Sequence, residues 1–389
     1  MERGSATSSE LILMQPPSEK IGSFETTEQV LHGGIKVYQS ALPTKDEDRT
    51  VVFAFEHGTM IAIFDGHHSS ELADFASKSL PQLIAERFDP TAADVDQVIT
   101  QIFEDFDRSL ILRVTKLFDP KEDWSGKHWD DAGNIHDVIG YGNHDPQFRE
   151  ARLAVVGTTV LIGIIDKEKK HIWVVSLGDS DAVRGRMQDG KLAPVIMSDR
   201  HNCSNTEEVE RLLAAHPNEV DMSSATASSA YWLSLALKVQ SRRLAARIMF
   251  YLYPSPIPAV AFEDWDRNGH LTPPYLSSSP AIRRHDLLPG DMLIFASDGL
   301  RDSMHHIPAA DRWDIIISLA NGEDHEQIGH ACIRPEDGDN AAELLIKNVL
   351  FGNDPNKMAK ELADRARNKF SLRDDISVVV VDLGWNHCT

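Results

Sequence analysis

The sequence is poor in cysteine and lacks any long hydrophobic run. Its three cysteines, Cys203, Cys332 and Cys388, lie far apart among 389 residues and form no CxxC pair. Disulfides and a cysteine-ligated zinc site are therefore not expected, which suits a reducing compartment. No uninterrupted apolar stretch reaches the roughly 18 residues that would suggest a membrane span. We expect an intracellular protein with no membrane span.

Basic residues are also scarce relative to acidic ones. The chain has 39 Lys and Arg against 60 Asp and Glu, which gives a formal net charge of -21. Nucleic acid and anionic membranes repel such a protein, so neither is expected as a partner. Residues 1–35 are polar and acidic, unlike an Arg-rich mitochondrial transit peptide. We predict a flexible N-terminal extension over 1–35, and a cytoplasmic or nuclear location in preference to a mitochondrial one.

Several familiar catalytic motifs are missing. No cysteine lies in a phosphate-cradling loop closed by Arg, and no GxxxxGKS/T loop is present. A zinc hydrolase has a weak basis in the segment 117–150, but without an HExxH motif this cluster reads as a solvated insertion. Its candidate ligands are His128, Asp130, Asp131, His136, His144 and Asp145.

Short apolar runs predict strands, and four of these strands have an aspartate at one end. A five-residue polar link joins the runs 158–165 and 171–177, and links this short favour antiparallel pairing. In an antiparallel sheet, the start of one strand lies beside the ends of its neighbours, so these acids are predicted to meet at one edge. The strands and acids are 60–64 before Asp65, 171–177 before Asp179, 292–296 before Asp298, and 376–381 after Asp374.

Clustered carboxylates repel one another and must either take up protons or bind cations. Hard divalent ions such as Mg2+ and Mn2+ accept ligands that are all oxygen. Two such ions about 3.5–4 Å apart can activate water and clamp a phosphoryl group. An aspartate after a strand is by itself a common turn residue. The set is more informative, because glycine adjoins three of them in Asp65-Gly66, Gly178-Asp179 and Asp298-Gly299.

Six ordered motifs resemble those of the type 2C metal-dependent serine/threonine protein phosphatases and cover roughly residues 36–383. Within that family, segments 201–212, 216–217 and 271–276 are most similar to pyruvate dehydrogenase phosphatase-like members. The motifs are Glu47-Asp48-Arg49, Phe64-Asp65-Gly66-His67, Gly157-Thr158-Thr159, Gly178-Asp179-Ser180, Ala296-Ser297-Asp298-Gly299-Leu300 and Arg373-Asp374-Asp375-Ile376-Ser377.

The resemblance implies an α+β fold. Its architecture would be a four-layer α-β-β-α sandwich, in which two mainly antiparallel sheets pack face to face and helices flank them. The phosphatase domain would span 36–385, with insertions near 117–150 and a flap region near 218–280. We expect a monomer that acts on phosphoprotein substrates.

The resemblance also implies the chemistry, namely hydrolysis of phosphoserine and phosphothreonine by a metal-activated water at a binuclear Mg/Mn centre. His67 would protonate the leaving alkoxide, and Glu47 and Asp48 would hold metal-bound waters. A third, weaker ion would lie at Asp179 and Asp302. The full set of implied metal positions is Glu47, Asp48, Asp65, Gly66, Asp298, Asp374, Asp179 and Asp302.

The sequence departs from the family pattern mainly around the substrate. His68 and Ser69 replace the usual small residues after His67, and Arg301 stands where an aromatic is common. Pro43 occupies the position of an arginine that grips phosphate in many relatives. Either Lys45 or Arg49 could substitute for it. These departures leave an alternative open, a catalytically impaired pseudophosphatase that acts as a binding scaffold.

Overall fold

A computed structural model describes residues 12–13, 21–67, 69–115, 153, 156–202, 205–215, 277–367 and 373–383. The chain divides into two compact units. The first comprises Met1–Ile99, Thr158–Asp199 and Ala281–Thr389. The second comprises Thr100–Gly157 and Arg200–Pro280, and much of it lies outside the described residues. The predicted insertion at 117–150 and most of the predicted flap near 218–280 fall in that undescribed part.

Two six-stranded antiparallel sheets form the first unit. The first sheet has the order β1-β4-β5-β8-β9-β12, and the second has the order β11-β10-β13-β14-β3-β2. The strands are β1 (Ile12–Leu13), β2 (Glu25–Val30), β3 (Lys36–Leu42), β4 (Arg49–Phe55), β5 (Gly58–Phe64), β6 (Gly66–His67), β7 (Gly157–Thr158), β8 (Val160–Asp166), β9 (His171–Leu177), β10 (Asp181–Gln188), β11 (Lys191–Ile196), β12 (Ala281–Asp286), β13 (Met292–Ala296) and β14 (Ile376–Asp382).

The central strands are buried along their whole length. Every residue of β5 and β8 is buried, because one face of the sheet meets helix and the other meets the second sheet. One apolar cluster joins the inner faces of the two sheets, which confirms face-to-face packing. It includes Ile61, Ile63, Leu161, Ile172 and Val174 of the first sheet, and Val37, Leu293, Phe295, Val379 and Val381 of the second.

Helices cover the outer faces of both sheets. Helix α1 packs on β4 and β5, while α5 and α6 pack on the second sheet. A second apolar cluster fills the space beneath α5 and α6. The layers are therefore helix, sheet, sheet and helix, as predicted. The helices are α1 (Glu71–Arg87), α2 (Val95–Thr115), α3 (Thr206–Ala215), α4 (Asp298–Asp302), α5 (Arg312–Ala320), α6 (Ala341–Leu350) and α7 (Pro355–Arg367), with short 3-10 turns at His32–Gly34 and Glu326–Ile328.

The structure differs from the sequence expectation at the N-terminal side of the domain. Residues 25–30 were assigned to the extension, but they form β2, which pairs with β3 along its whole length. The side chains of β2 alternate between half-buried and exposed, as on an edge strand. The sheet thus begins before residue 36. Among the described residues, no helix is both long and apolar enough to cross a bilayer.

Candidate functional site

The pairing of β4 with β5 brings two of the predicted acids together. Arg49 pairs with Phe64 at the end of this ladder. Continuing the register by one residue places Asp48 opposite Asp65. The carbonyl of Asp65 accepts hydrogen bonds from the Thr159 amide at 2.8 Å and from the Thr158 hydroxyl at 3.1 Å. The threonine motif therefore fixes the turn that carries Asp65.

Strand pairing in the second sheet places Asp179, Asp298 and the segment after Asp374 close together in the same way. Ala296 pairs with Asp181 on one side and with Val378 on the other. Continuing both registers places Asp179 beside Asp298 and brings Asp298 to the start of β14. The Ser297 amide donates to the Ser377 carbonyl at 3.0 Å, and the Ser377 amide donates to the Ser297 hydroxyl at 3.0 Å. The backbone at Asp298 is thereby locked to the strand that follows Asp374.

The loop 44–48, which carries Glu47 and Asp48, is organised by a residue to which the sequence assigned no role. The Asp375 carboxylate is 3% exposed and accepts hydrogen bonds from five consecutive backbone amides. Oδ1 accepts from residues 44, 45 and 46 at 2.5, 2.7 and 3.3 Å. Oδ2 accepts from residues 47 and 48 at 2.6 and 3.3 Å. Such a ring of amides forms an anion-binding nest, which here holds the loop around a side chain of the protein itself.

A buried arginine attaches the same loop to the C-terminal side of the site. Arg365 of α7 is 1% exposed. Its guanidinium donates to the Thr44 hydroxyl at 2.6 Å and to the Asp374 carbonyl at 2.8 Å. Its Nε donates to Glu361 at 3.0 Å. Arg365 therefore ties loop 44–48 to the segment that carries Asp374.

Glycine is required at two positions because other backbone segments approach too closely for a side chain. A Cβ atom at Gly66 would lie 2.5 Å from the Glu47 carbonyl oxygen. One at Gly299 would lie 1.9 Å from the Asp375 carbonyl oxygen. Each glycine thus lets two acid-bearing segments approach each other.

The pKa of Asp65 is raised by burial and by acids from distant segments of the chain. Burial is the main cause that raises the pKa of Asp65 well above its ordinary value. The charges of Asp48, Asp298, Asp374 and Asp179 raise it further, in that order. The structure therefore brings these five carboxylates into one electrostatic cluster, because like charges raise each other's pKa only when they are close.

The pKa values of three other acids at the site, Glu47, Asp48 and Asp298, are raised as well. Burial raises the pKa of Glu47 to about 7, with Lys45 opposing the rise. Burial, followed by the charges of Asp179 and Asp374, raises the pKa of Asp298 to about 8. Burial also raises the pKa of Asp48, although its hydrogen bonds with Ser297 and Ser377 work against this. In the absence of a cation, these carboxylates are therefore protonated more readily in the folded protein than in the unfolded chain.

The donor set fits hard divalent cations. Asp48 Oδ2 and Asp298 Oδ1 are buried and have no hydrogen-bond partner among the described residues. Buried carboxylate oxygens without a partner are costly unless a cation approaches them. Within the described part of the chain, no group of three or more His, Cys, Asp or Glu side chains is arranged so that it could hold an ion. Direct ligation of one ion by Asp65, Asp298 and Asp374 together would therefore require these side chains to move closer to one another when the ion binds.

The raised pKa values predict an unusual pH dependence for the metal-free protein. In the unfolded chain these carboxylates titrate near about pH 4, whereas Glu47 and Asp298 titrate near about 7 and 8 when folded. Between these limits the folded state binds more protons at these groups, so their contribution to stability is greatest at low pH and is lost as pH rises towards 8. The melting temperature in chelator should drop across this window, and Mn2+ should restore it at pH 8. A flat or rising profile in chelator would contradict the folded pKa values.

His67 lies beside Asp65, one of the predicted metal ligands. Its Nδ1 is 3.3 Å from the Asp65 carbonyl oxygen and 3.8 Å from Asp65 Oδ1. The side chain is 33% exposed, so solvent and substrate can reach it. With Nδ1 held against the Asp65 backbone, Nε2 is the nitrogen available to a substrate. The neighbouring His68 lies outside the described residues.

The structure distinguishes between Arg49 and Lys45 as substitutes for the arginine that would contact phosphate at position 43. Arg49 is 6% exposed; its Nε donates to Asp74 at 2.5 Å and its Nη1 donates to the Asp48 carbonyl at 2.6 Å. It is committed to the fold and cannot reach a ligand. Lys45 is exposed, and its Nζ lies 2.9 Å from Asp374 Oδ1. Of the two, only Lys45 remains a candidate.

Removing the Asp375 carboxylate should loosen loop 44–48. With Asp375→Ala, five backbone amides lose an ionised acceptor, and hydrogen bonds to charged groups contribute about 1.5–3 kcal/mol each. Because part of this loss is recovered through water, we expect about 3 kcal/mol less free energy of unfolding. We also expect weaker Mn2+ binding. Asp375→Asn, which keeps one acceptor oxygen, should lie between wild type and the alanine variant.

Denaturant unfolding in chelator and calorimetric Mn2+ titration would measure the two effects separately. Asp382→Ala is the matched control, because Asp382 is an exposed residue at the other end of the same strand. Its stability and Mn2+ affinity should equal those of wild type. If Asp375→Ala bound Mn2+ as tightly as this control, the loop would not depend on the nest.

Comparisons with known proteins agree with the motifs. The Protein phosphatase 2C family pattern matches residues 38–345. Pyruvate dehydrogenase (acetyl-transferring) phosphatase 1, mitochondrial, from Bos taurus is 26% identical over 289 residues, which cover 66% of this chain and 53% of that protein. Probable protein phosphatase 2C 42 from Arabidopsis thaliana is 26% identical over 343 residues, 88% of this chain and 76% of that protein.

A crystal structure of serine-threonine phosphatase 2C from Toxoplasma gondii aligns with 92% of this chain and 98% of that one, at 16% identity and a TM-score of 0.46. This likeness is too weak to carry an argument about function. The chain spans about half the length of the mammalian relatives that it matches. Because the family pattern covers most of the sequence, the chain belongs to the Protein phosphatase 2C family.

Proposed function

We propose that this protein hydrolyses phosphoserine and phosphothreonine in phosphoproteins with the help of two Mg2+ or Mn2+ ions. The observation that carries the proposal is the cluster of Asp48, Asp65, Asp298 and Asp374 from distant parts of the chain. Burial raises the pKa of the first three, and the charge of Asp374 raises each of them further. A protein gains nothing in stability from buried like charges, so their retention points to cations as partners. Membership of a phosphatase family supports the same conclusion.

The residues divide into ligands and orienting groups. Asp65 is proposed to contact both ions, with the Gly66 carbonyl on one and Asp298 and Asp374 on the other. Glu47 and Asp48 are proposed to orient water by hydrogen bonding. When bound, ions of this kind polarise a phosphoryl group and lower the pKa of water at the site.

Two further side chains are proposed to act on the substrate. His67 donates a proton to the departing alkoxide, because imidazole can do so near neutral pH. Lys45 contacts the phosphoryl group in place of the arginine that Pro43 replaces. Its ammonium group is paired with Asp374 Oδ1, which places it beside the acids proposed to hold the ions.

The test is a metal-dependent assay on the whole chain. Purified protein should hydrolyse a phosphothreonine peptide when Mn2+ or Mg2+ is present, and excess chelator should remove the activity. Asp298→Asn, prepared in parallel, should be inactive and would expose any co-purifying phosphatase. If saturating Mn2+ and Mg2+ gave no turnover above this blank, the binding-scaffold alternative would replace the enzyme.

A further inference from the structure

The guanidinium of Arg301 lies at the place where the sequence suggested a third metal ion. Arg301 belongs to α4 and is 6% exposed. Its Nε donates to Asp302 Oδ1 at 3.0 Å, and its Nη1 donates to the Asp179 carbonyl at 3.1 Å. The two residues predicted to hold a weak third ion are therefore both hydrogen-bonded to the same side chain.

Arg301 is held in this position by a buried acid. Its Nη1 donates to Asp181 Oδ2 at 2.6 Å, and Asp181 at the start of β10 is 0% exposed. Burial lowers the pKa of the Arg301 guanidinium. The negative charges of Asp181, Asp302 and Asp298 have the larger combined effect, so the pKa is raised overall. Arginine keeps its charge throughout the accessible pH range. The positive charge at this point is therefore permanent, and the side chain cannot swing away without breaking its 2.6 Å hydrogen bond to the buried Asp181.

Asp302 is also contacted by a second arginine. Arg312 Nη1 lies 3.5 Å from Asp302 Oδ1, the same oxygen that accepts from Arg301. A metal ion on this oxygen would have to displace one guanidinium and tolerate repulsion from both. Burial and the charges of nearby acids raise the pKa of Asp298, and the charge of Arg301 opposes that rise.

We infer that Arg301 takes the place of the third metal ion: its guanidinium occupies Asp302 and the Asp179 backbone, so that the chain binds two ions and no third. The inference rests on the proposed two-ion function. It makes residue 301, where relatives commonly have an aromatic, the position that sets the number of metal ions.

The first test counts ions in wild type and in Asp302→Asn by calorimetric titration with Mn2+ alone. Asp302 is 54% exposed at its side chain, so the substitution carries little risk to folding. We expect two ions in both proteins, with affinities unchanged. Three ions in wild type and two in the variant would overturn the inference, because Asp302 would then be a ligand.

The second test removes the guanidinium so that a third metal ion can bind. Arg301→Met combined with Asp181→Asn removes the guanidinium together with the buried negative charge that it neutralises. It should bind one ion more than wild type. Adding Asp302→Asn to this double variant should remove the extra ion. Asp181→Asn alone is the matched control, because the asparagine oxygen can still accept from Arg301, and it should bind two ions.

The outcomes separate this inference from the proposed function. A folded double variant that still bound two ions would overturn the role of Arg301 and leave the two-ion site intact. Wild type that bound no Mn2+ would overturn the proposed function itself. If the double variant did not fold, the comparison of wild type with Asp302→Asn would still decide the question.

Discussion

Replacing Asp65 with Asn should abolish Mn2+ binding and turnover, while making the metal-free protein more stable. Asp65 is 4% exposed and its pKa is raised by burial and by four neighbouring acids. An amide removes the charge that a bridging ligand needs, and the loss of metal catalysis amounts to several kcal/mol of barrier, on the order of 10³-fold in rate. It also removes one buried like charge, so the melting temperature in chelator at pH 8 should rise by on the order of 2 °C.

Asp166→Asn is a matched control for this variant. Asp166 is 6% exposed and pairs with Gly58 at the opposite end of β5 from Asp65. The control changes a similarly buried carboxylate far from the cluster, so Mn2+ binding and turnover should persist. If Asp65→Asn melted below wild type in chelator, the carboxylate would be stabilising the fold and the electrostatic argument would be wrong.

Replacing His67 with Gln should slow turnover while leaving metal affinity nearly unchanged. Glutamine can still donate a hydrogen bond to the Asp65 carbonyl oxygen but cannot release a proton to a leaving group. General acid catalysis contributes about 10²–10⁴-fold, so kcat on a phosphoserine peptide should fall by about 10²-fold or more. On an aryl phosphate the loss should be much smaller, because a phenolate leaves without protonation.

The ratio of the two losses separates a general acid from a merely structural histidine. His32→Gln changes an exposed histidine in a 3-10 turn, and both of its rates should match wild type. Calorimetric Mn2+ titration of His67→Gln should give a wild-type affinity. Equal losses on both substrates, together with weaker Mn2+ binding, would rule out proton donation by His67.

The strands that carry the site could be predicted because they are buried on both faces. The expected runs 171–177 and 292–296 coincide with β9 and β13, and 60–64 and 376–381 differ from β5 and β14 by at most two residues at either end. Strands with two covered faces appear as continuous apolar stretches, and they stand out in a sequence. The order of strands and acids then placed Asp65, Asp298 and Asp374 near one another.

Strand β10 was not predicted, because it contains charged residues whose partners lie in distant parts of the chain. It reads DAVRGRMQ, without an apolar run. In the fold, Arg186 donates to both Asp291 carboxylate oxygens, at 2.8 and 2.6 Å, and Asp181 is paired with Arg301. A local pattern cannot reveal partners that lie more than 100 residues away.

Two details of local chemistry in α1 do not follow from the residue types alone. Ser70 precedes the helix but its side chain makes no cap; the Ser69 hydroxyl accepts from the Glu71 amide at 3.2 Å instead. The helix runs from Glu71 through Arg87 with Pro81 inside it, although proline in a helix interior removes a backbone donor. Burial of Leu80, Pro81 and Ile84 against the sheet stabilises the helix beyond its own propensity.

The role of Asp375 was invisible in the sequence for a different reason. Asp374 and Asp375 are adjacent and chemically identical, and only the three-dimensional path of loop 44–48 distinguishes them. One carboxylate is half-exposed beside Lys45, while the other is enclosed by backbone amides. The signal that could have raised suspicion is that the pair stands immediately before a mainly apolar strand, which forces alternate side chains to opposite environments.

The nest around Asp375 also has a consequence for biosynthesis. Thr44 and Asp375 are 331 positions apart, and β14 inserts between β13 and β3 in the middle of its sheet. A ribosome-bound chain that has already released loop 44–48 must therefore wait until Asp375 has also been released before that loop can settle. Until then the proposed phosphatase site should stay incomplete, so activity should appear only after residue 375 has left the ribosome.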